Sequence, residues 1–204
     1  MKEKDTYKTI LQDSSEVLFK DKNSKFFGYA YPVNNIDAIK EHITTLKKQH
    51  HSARHWCYAY QIGSNSIVYR ANDDGEPNNS AGQPIYGQIQ SFNLTNILVV
   101  VVRYFGGVKL GVGGLINAYR TAAQMALEAS EIVEKTINIE YLITFEYKNM
   151  NKVMRIIKEK QLKIIHQKLE LDCQITISVR KKYASSVFQI FNQLYEVNIK
   201  NLVD

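Results

Sequence analysis

The sequence contains few cysteines and no long hydrophobic run. Its two cysteines, Cys57 and Cys173, lie far apart in the chain, so we expect two buried thiols and no disulfide. The longest apolar run, from Ile97 to Val102, is much shorter than the roughly 18 residues that a membrane-spanning helix needs. The first residues alternate charged and polar side chains and lack the apolar centre of a secretory signal. We therefore predict a cytoplasmic protein without a membrane partner.

Standard cofactor, metal and nucleophile motifs are also missing. The glycine-rich stretch 106–114 is not a P-loop, because no lysine directly follows a glycine, and a dinucleotide motif beginning at Gly111 would need a small residue at Ile116. His51 and His55 would share a helix face, but the zinc motif needs a glutamate between them, and the sequence from His55 onward favours a strand. We predict no cofactor, no metal and no catalytic residue.

Net charge is modest and unevenly distributed. Of the 26 basic and 20 acidic side chains, 15 and 13 fall in residues 1–136, which gives +2, whereas 11 and 7 fall in residues 137–204, which gives +4. The balance allows attraction to nucleic acid or to acidic surfaces, although charge of this size is also typical of an ordinary solvated surface. The C-terminal third is the more basic part.

The pattern of the sequence changes near residue 136, where we place a domain boundary. Before it, Asn35 can cap a helix whose apolar positions recur at spacings of three and four, and Ser24 and Lys25 stand at a predicted turn. The other predicted elements are strands 7–19, 26–33, 55–62, 66–71 and 97–104, a short helix 84–90 and a long helix 113–134. After it, the order is strand, helix, strand, strand, helix, strand. We thus predict an α+β protein with two domains, 1–136 and 137–204, the second a ferredoxin-like βαββαβ domain.

The glycine-rich loop after the buried strand is the first candidate site. Gly106, Gly107 and Gly111 can adopt backbone conformations that turn amide groups toward an anion, with Arg103 and Lys109 as counter-charges. The same glycines are equally consistent with close packing between a strand and a helix. The sequence leaves both interpretations open: binding of an anion or an RNA backbone, and packing alone.

The second candidate is the polar turn that begins at Arg70 and carries Asp73, Asp74 and Glu76. Three carboxylates in four positions can hold a divalent cation or orient an arginine, yet Asp and Gly are also common turn-forming residues. The calcium-loop spacing is not met. A structural turn, a salt-bridge network and acid–base or metal chemistry all remain open.

The third candidate is the aromatic stretch that follows Arg54. In a strand, His55, Cys57 and Ala59 face one side, and Trp56, Tyr58 and Tyr60 face the other. The aromatic side can be part of a core or a platform on which bases stack, and Arg54 beside it suits contact with nucleic acid.

Several motifs in one order resemble those of the YigZ/IMPACT family. They are Ser24–Lys25–Phe26 and the segments 53–60, 73–77, 81–84 and 102–111. The resemblance implies an N-terminal α+β domain of the type shared with ribosome-associated proteins, and a C-terminal domain similar to the last domain of elongation factor G. It also implies that Lys25, His55, Arg70, Asp73, Asp74 and Glu76 belong to the family's polar motifs. The sequence departs from the family pattern in two places: residues 78–80 are Asn-Asn-Ser, where Ser-Gly-Thr is usual, and Asn117 replaces an arginine, with Arg120 one turn later.

Our leading functional hypothesis is a non-enzymatic protein of translation that binds RNA or the ribosome. Eukaryotic relatives are implied to act in translational control through an extra N-terminal domain that this sequence lacks, so we do not predict kinase regulation. The alternative is a hydrolase of a phosphorylated or peptide-like substrate that uses Asp73, Asp74, Glu76 and the glycine loop. A third hypothesis is a protein partner that binds the C-terminal domain.

Overall fold

The computed structural model describes residues 5–64 and 66–202, whose contacts divide them into two units. The N-terminal unit is Tyr7–Lys135, and the C-terminal unit begins at Thr136 and also includes Asp5 and Thr6. The domain boundary predicted from the sequence, between residues 136 and 137, stays a prediction, because it concerns whether each part folds on its own. In the described part of the chain, no helix is both long and apolar enough to cross a membrane.

The N-terminal unit is built on a five-stranded antiparallel sheet with the order β2-β3-β6-β4-β5. A separate two-stranded sheet pairs β1 with β7. The elements are β1 (Thr6–Ile10), β2 (Val17–Asp21), β3 (Ser24–Pro32), α1 (Ile36–Gln49), β4 (His55–Ile62), β5 (Val68–Asn72), α2 (Gly82–Ser91), β6 (Ile97–Tyr104), α3 (Gly111–Glu128) and β7 (Ile132–Thr136).

Strand β6 is the centre of this sheet, and helices cover both of its faces. Ile97, Val99 and Val101 belong to one apolar cluster with residues of α2 and α3. The alternate residues, from Leu98 to Val102, belong to a second cluster with residues of α1. The apolar run in the sequence is therefore continuous because successive side chains enter two different cores.

Helix α3 lies unusually close to the sheet. An added Cβ at Gly28 of β3 would stand 2.6 Å from the carbonyl oxygen of Ala122. The buried face of α3 is correspondingly rich in small residues, which are Ala118, Ala122, Ala123 and Ala126. Close packing here depends on the absence of a side chain at residue 28.

Three local predictions for this unit are wrong. The strand expected at 7–19 is two strands in different sheets, because the first strand ends at Ile10 and Ser14, between the two, exchanges hydrogen bonds with Ala30. The turn expected at Ser24–Lys25 lies at Lys22–Asn23, both with positive φ as in a two-residue hairpin turn. The helix expected to reach residue 134 ends at Glu128, and the β-branched residues after it form β7.

The C-terminal unit contains one four-stranded antiparallel sheet and two helices. Its elements are β8 (Asn138–Glu146), a 3₁₀ turn (Tyr147–Asn149), α4 (Met150–Glu159), β9 (Lys163–Lys168), β10 (Asp172–Arg180), α5 (Lys181–Asn192) and β11 (Val197–Asn201). The sheet order is β11-β8-β10-β9, and Val153 and Phe191 bring the two helices onto its buried face. The predicted βαββαβ order is confirmed, as is the α+β class of the whole chain.

Candidate functional site

A pocket of about 430 Å³ lies in the N-terminal unit beside the end of β6. Four segments line it: the residues at the start of β4, the turn after β5, the end of β6, and the loop before α3 together with the first turns of that helix. Its lining residues are Arg54, His55, Glu76, Pro77, Arg103, Phe105, Lys109, Leu110, Gly111, Val112 and Leu115. His55 stands opposite Arg103 in the antiparallel pairing of β4 with β6, so the sheet register brings these segments together.

Arg103 and Glu76 form a buried ion pair at this pocket. Nη1 of Arg103 lies 2.6 Å from Oε1 of Glu76, and both side chains are almost fully buried. The hydroxyl of Tyr119 on α3 donates to the same carboxylate oxygen at 2.7 Å. Burial is the main cause that raises the pKa of Tyr119, so this hydroxyl stays a neutral donor. The network joins three separate elements around one carboxylate.

The guanidinium of Arg103 also contacts two aromatic rings. It lies 5.4 Å from the ring centroid of Phe26 and 5.5 Å from that of Phe105, distances typical of cation–π contacts. Its Nε is buried and has no hydrogen-bond partner among the described residues. Arg103, predicted from sequence to face an anion, is thus buried and already paired with a carboxylate.

His55 presents one ring nitrogen to the same pair. Its Nδ1 lies 2.9 Å from the carbonyl oxygen of Asp74, which can only accept, so Nδ1 carries the proton. In the neutral ring Nε2 is then an acceptor, and it lies 3.9 Å from Oε1 of Glu76. The turn after β5 therefore fixes both the orientation and the tautomer of His55.

The two aspartates of that turn bind backbone amides. Asp73 accepts from the amides of Asn79, Ala81 and Gly82, which satisfies the start of α2. Asp74 accepts from the amide of Trp56 at 2.7 Å. The described residues contain no group of three or more histidine, cysteine and acidic side chains that could hold a metal ion. These contacts favour the structural-turn and salt-bridge interpretations of the three carboxylates.

Residue 79 shows how the turn tolerates its departure from the family pattern. Asn79 stands where glycine is usual, and its φ is 61°. Asparagine is one of the few residues other than glycine that adopts this left-handed conformation readily. Ser80 completes the turn, since its hydroxyl donates to the carbonyl oxygen of Pro77 at 2.6 Å.

Cys57 lies beneath this turn as a buried, neutral thiol. Its Sγ donates to the carbonyl oxygen of Asp73 at 2.9 Å. Burial is the largest cause that raises the pKa of Cys57, and nearby carboxylates act in the same direction. The thiol is therefore not activated as a nucleophile, and both cysteines are free and buried as predicted.

The glycines of the loop serve different purposes. A Cβ at Gly106 would stand 2.1 Å from the backbone of Asn23, so Gly106 is required for packing against the β2–β3 turn. Gly107 and Gly111 have φ of 86° and 72° and face open space. Gly106 therefore fits the packing interpretation, and Gly107 and Gly111 shape an open stretch of backbone beside exposed Lys109.

The loop ends at the open N-terminus of α3. The capping position, Leu110, makes no side-chain hydrogen bond to the helix, and the first turn, which the structure describes in full, has no acidic residue. The first amides of an 18-residue helix therefore stand near Lys109 with no acidic side chain in the first turn of the helix itself. Such an end favours an anion.

The predicted site residues are brought together only in part. Arg54, His55, Glu76, Arg103, Lys109 and Gly111 line the pocket. Lys25 and Arg70 are exposed on β3 and β5 and are not among its lining residues. Tyr119 and Phe105 were not predicted as site residues, although a tyrosine within an alanine-rich helix face and an aromatic residue directly before a glycine loop were the available signals.

A second polar cluster occupies the other face of the sheet. The hydroxyl of Tyr29 donates to Glu16, and Nε2 of His50 lies 2.6 Å from that hydroxyl. Nδ1 of His50 lies 3.0 Å from the hydroxyl of Tyr104. Burial lowers the pKa of His50, and the nearby Glu16 charge opposes this shift only in part. The neutral ring thus donates through Nε2 and accepts through Nδ1.

The fold and site define a two-unit α+β protein whose N-terminal unit carries a partly apolar pocket with cationic side chains. The chain matches the model of the Impact N-terminal domain over residues 22–127, slightly more than half of its length. IMPACT family member YvyE of Bacillus subtilis (strain 168) is 34% identical over 165 residues, which cover 80% of this chain and 76% of that protein. The chain therefore belongs to the IMPACT family.

Other relatives extend the comparison. IMPACT family member YigZ of Escherichia coli (strain K12) is 33% identical over 147 residues, which cover 71% of this chain and 72% of that protein. Protein IMPACT of Rattus norvegicus is 34% identical over 96 residues, only 45% of this chain and 30% of that protein. A solved structure of a hypothetical protein aligns over 98% of this chain and 99% of its own at 24% identity, with a TM-score of 0.75. This structure supports the fold across both units.

Proposed function

We propose that this protein is a non-enzymatic protein of translation that binds RNA or the ribosome through the pocket beside β6. The observation that carries the proposal is the placement of Arg54 and Lys109, both exposed, on one pocket with the open start of α3. Two exposed cations and a helix start without a side-chain cap are suited to phosphate groups. The family resemblance, with its link to ribosome-associated folds, supports translation as the process.

The two arginines of the pocket have different roles in this proposal. The charge of Arg103 is neutralised by Glu76, 2.6 Å away, so Arg103 stabilises the site and attracts an anionic ligand only weakly. Arg54 and Lys109 are free to contact phosphates. The C-terminal unit is the more basic part, because residues 137–204 carry a net charge of +4. It is the candidate contact for further RNA or for a protein partner.

Salt-dependent binding of the full-length protein tests the proposal. We would titrate ribosomes and a structured RNA in a filter-binding assay at two salt concentrations. Binding should weaken steeply with salt, and Lys109→Ala or Arg54→Ala should each reduce the slope of log K against log salt by about 1. Lys48→Ala is the matched control, since Lys48 is an exposed lysine on α1, which covers the opposite face of the sheet. The absence of salt-sensitive binding to either RNA or ribosomes would contradict the proposal.

The hydrolase alternative has less support. It needs carboxylates that are available to a substrate or a metal, whereas Asp73 and Asp74 accept hydrogen bonds from backbone amides and Glu76 from Arg103 and Tyr119. His55, at the start of β4, is a basic group that lines the pocket beside the turn. Hydrolysis of a phosphate ester or dipeptide that depends on His55 would favour this alternative over RNA binding.

A further inference from the structure

The pocket beside β6 has an apolar wall as well as cationic groups. Phe105 is 41% exposed and lines the pocket together with Pro77, Val112 and Leu115. Val112 is 53% exposed, so the apolar surface continues to the mouth. A surface that only follows a phosphate backbone needs cations, whereas exposed aromatic rings serve as stacking platforms for bases. The wall therefore indicates that a base enters together with its phosphate.

Phe105 is held in position by the buried ion pair. The guanidinium of Arg103 lies 5.5 Å from its ring centroid, and Arg103 is itself fixed by Glu76 and by the ring of Phe26. The ring is thus oriented before any ligand arrives, which reduces the entropy lost on binding. A pre-oriented and partly exposed ring is suited to stacking.

The dimensions and polar groups of the pocket match a single nucleotide. Its volume of about 430 Å³ lies within the range of small-molecule sites. In the neutral ring, Nε2 of His55 can receive a hydrogen bond from a base amino group or a ribose hydroxyl. Bases within a duplex are stacked and paired, so they enter such a pocket only after extrusion.

We propose that the pocket takes one unpaired nucleotide of the bound RNA, with its phosphate near Lys109 and the start of α3 and its base against Phe105. This inference rests on the proposed function, because it names the part of the RNA that enters the site. It predicts a preference for single strands, loops or bulges over perfect duplex.

Fluorescence anisotropy with the full-length protein tests this preference. The probes are a labelled single-stranded RNA that forms no hairpin and the blunt duplex of the same sequence. We expect the duplex to bind at least about ten-fold more weakly, and Phe105→Ala to weaken single-strand binding by about ten-fold. Phe105→Tyr keeps the ring and should retain binding. Tyr69→Ala is the control, since Tyr69 is an aromatic residue of β5 that is 56% exposed and is not among the residues that line the pocket.

The outcomes separate this inference from the proposed function. Equal affinity for both probes, with no effect of Phe105→Ala, would refute the unpaired-nucleotide pocket and leave phosphate-dependent RNA binding intact. No binding of either probe, and none of ribosomes, would refute both. A thermal melt of each variant shows whether it is folded. Lys109→Ala should change the salt slope without removing the single-strand preference, because it removes a phosphate contact and not the stacking surface.

Discussion

Replacement of Glu76 by alanine should destabilise the N-terminal unit strongly. The carboxylate of Glu76 is buried and accepts from Nη1 of Arg103 at 2.6 Å and from the hydroxyl of Tyr119 at 2.7 Å. Its removal leaves a buried guanidinium without a counter-charge and a buried hydroxyl without an acceptor. Both groups lose their hydrogen bonds to water on folding, and in the variant no protein group replaces those bonds.

The expected loss follows from the type of contact. Removal of one partner from a buried ion pair costs about 3–5 kcal/mol of the free energy of unfolding. Small domains have only about 5–15 kcal/mol in total, so the loss is a large fraction of the stability. With an m value of about 2 kcal/mol/M, the urea midpoint should fall by about 2 M.

Tryptophan fluorescence isolates this effect from the rest of the chain. Trp56 is the only tryptophan in the sequence and lies on β4, so its emission reports on the N-terminal unit, whereas far-UV circular dichroism reports on both units. Asp37→Ala is the matched control, because it removes a carboxylate from an exposed ion pair with Lys40 in the same unit and should cost less than about 1 kcal/mol.

A double variant distinguishes the loss of the ion pair from the loss of side-chain packing. Glu76→Leu combined with Arg103→Met removes both charges and should be more stable than Glu76→Ala, because no buried charge is left alone. A midpoint for Glu76→Ala that matches that of Asp37→Ala would refute the reasoning. It would mean that water or another group already compensates Arg103.

Two further predictions use the same fluorescence signal. Gly113→Ala should stabilise the N-terminal unit by about 0.5–1 kcal/mol, because Gly113 lies in a helix and its added Cβ meets open space. Gly106→Ala should destabilise the unit by about 1–3 kcal/mol, because its added Cβ clashes with the β2–β3 turn. Equal effects of the two would contradict the assignment of Gly106 to packing. In the folded N-terminal unit, the pKa of His50 lies below its ordinary value of 6.5. The unfolded chain therefore binds the proton more readily, so the free energy of unfolding decreases as pH falls below about 6.5. His50→Gln should reduce the difference between urea midpoints at pH 7.5 and pH 5.5, and an unchanged difference would exclude His50 as its source.

The extent to which the sequence predicted the structure depended on the range of the interactions involved. The helix that Asn35 caps and the strand 97–104 were predicted correctly, because a local capping bond and a continuous apolar run determine them. The strand at 7–19 and the end of the helix near residue 134 were not, because β1 and β7 exist by pairing with each other across most of the unit.

The same distinction applies to the site. Arg54, Glu76 and Lys109 were marked as candidates by their motifs, and the structure places them on one pocket. The pairing of Arg103 with Glu76 was left open, since only the register of β4 with β6 brings the turn after β5 over the end of β6. The role of Tyr119 depends on how α3 is rotated about its axis. Sequence periodicity alone predicts that Tyr119 is buried, but it does not identify the group that Tyr119 contacts.

The central position of β6 also affects how the N-terminal unit forms during synthesis. β3 and β4 leave the ribosome well before β6, and β5 and α2 lie between β4 and β6 in the chain. Until β6 emerges, both strands lack their shared neighbour and expose apolar faces and free edges, a condition in which unfinished sheets aggregate. A pause in synthesis between residues 62 and 97 would prolong this condition. Until β6 is made, the nascent chain therefore exposes more apolar strand surface than the finished unit does.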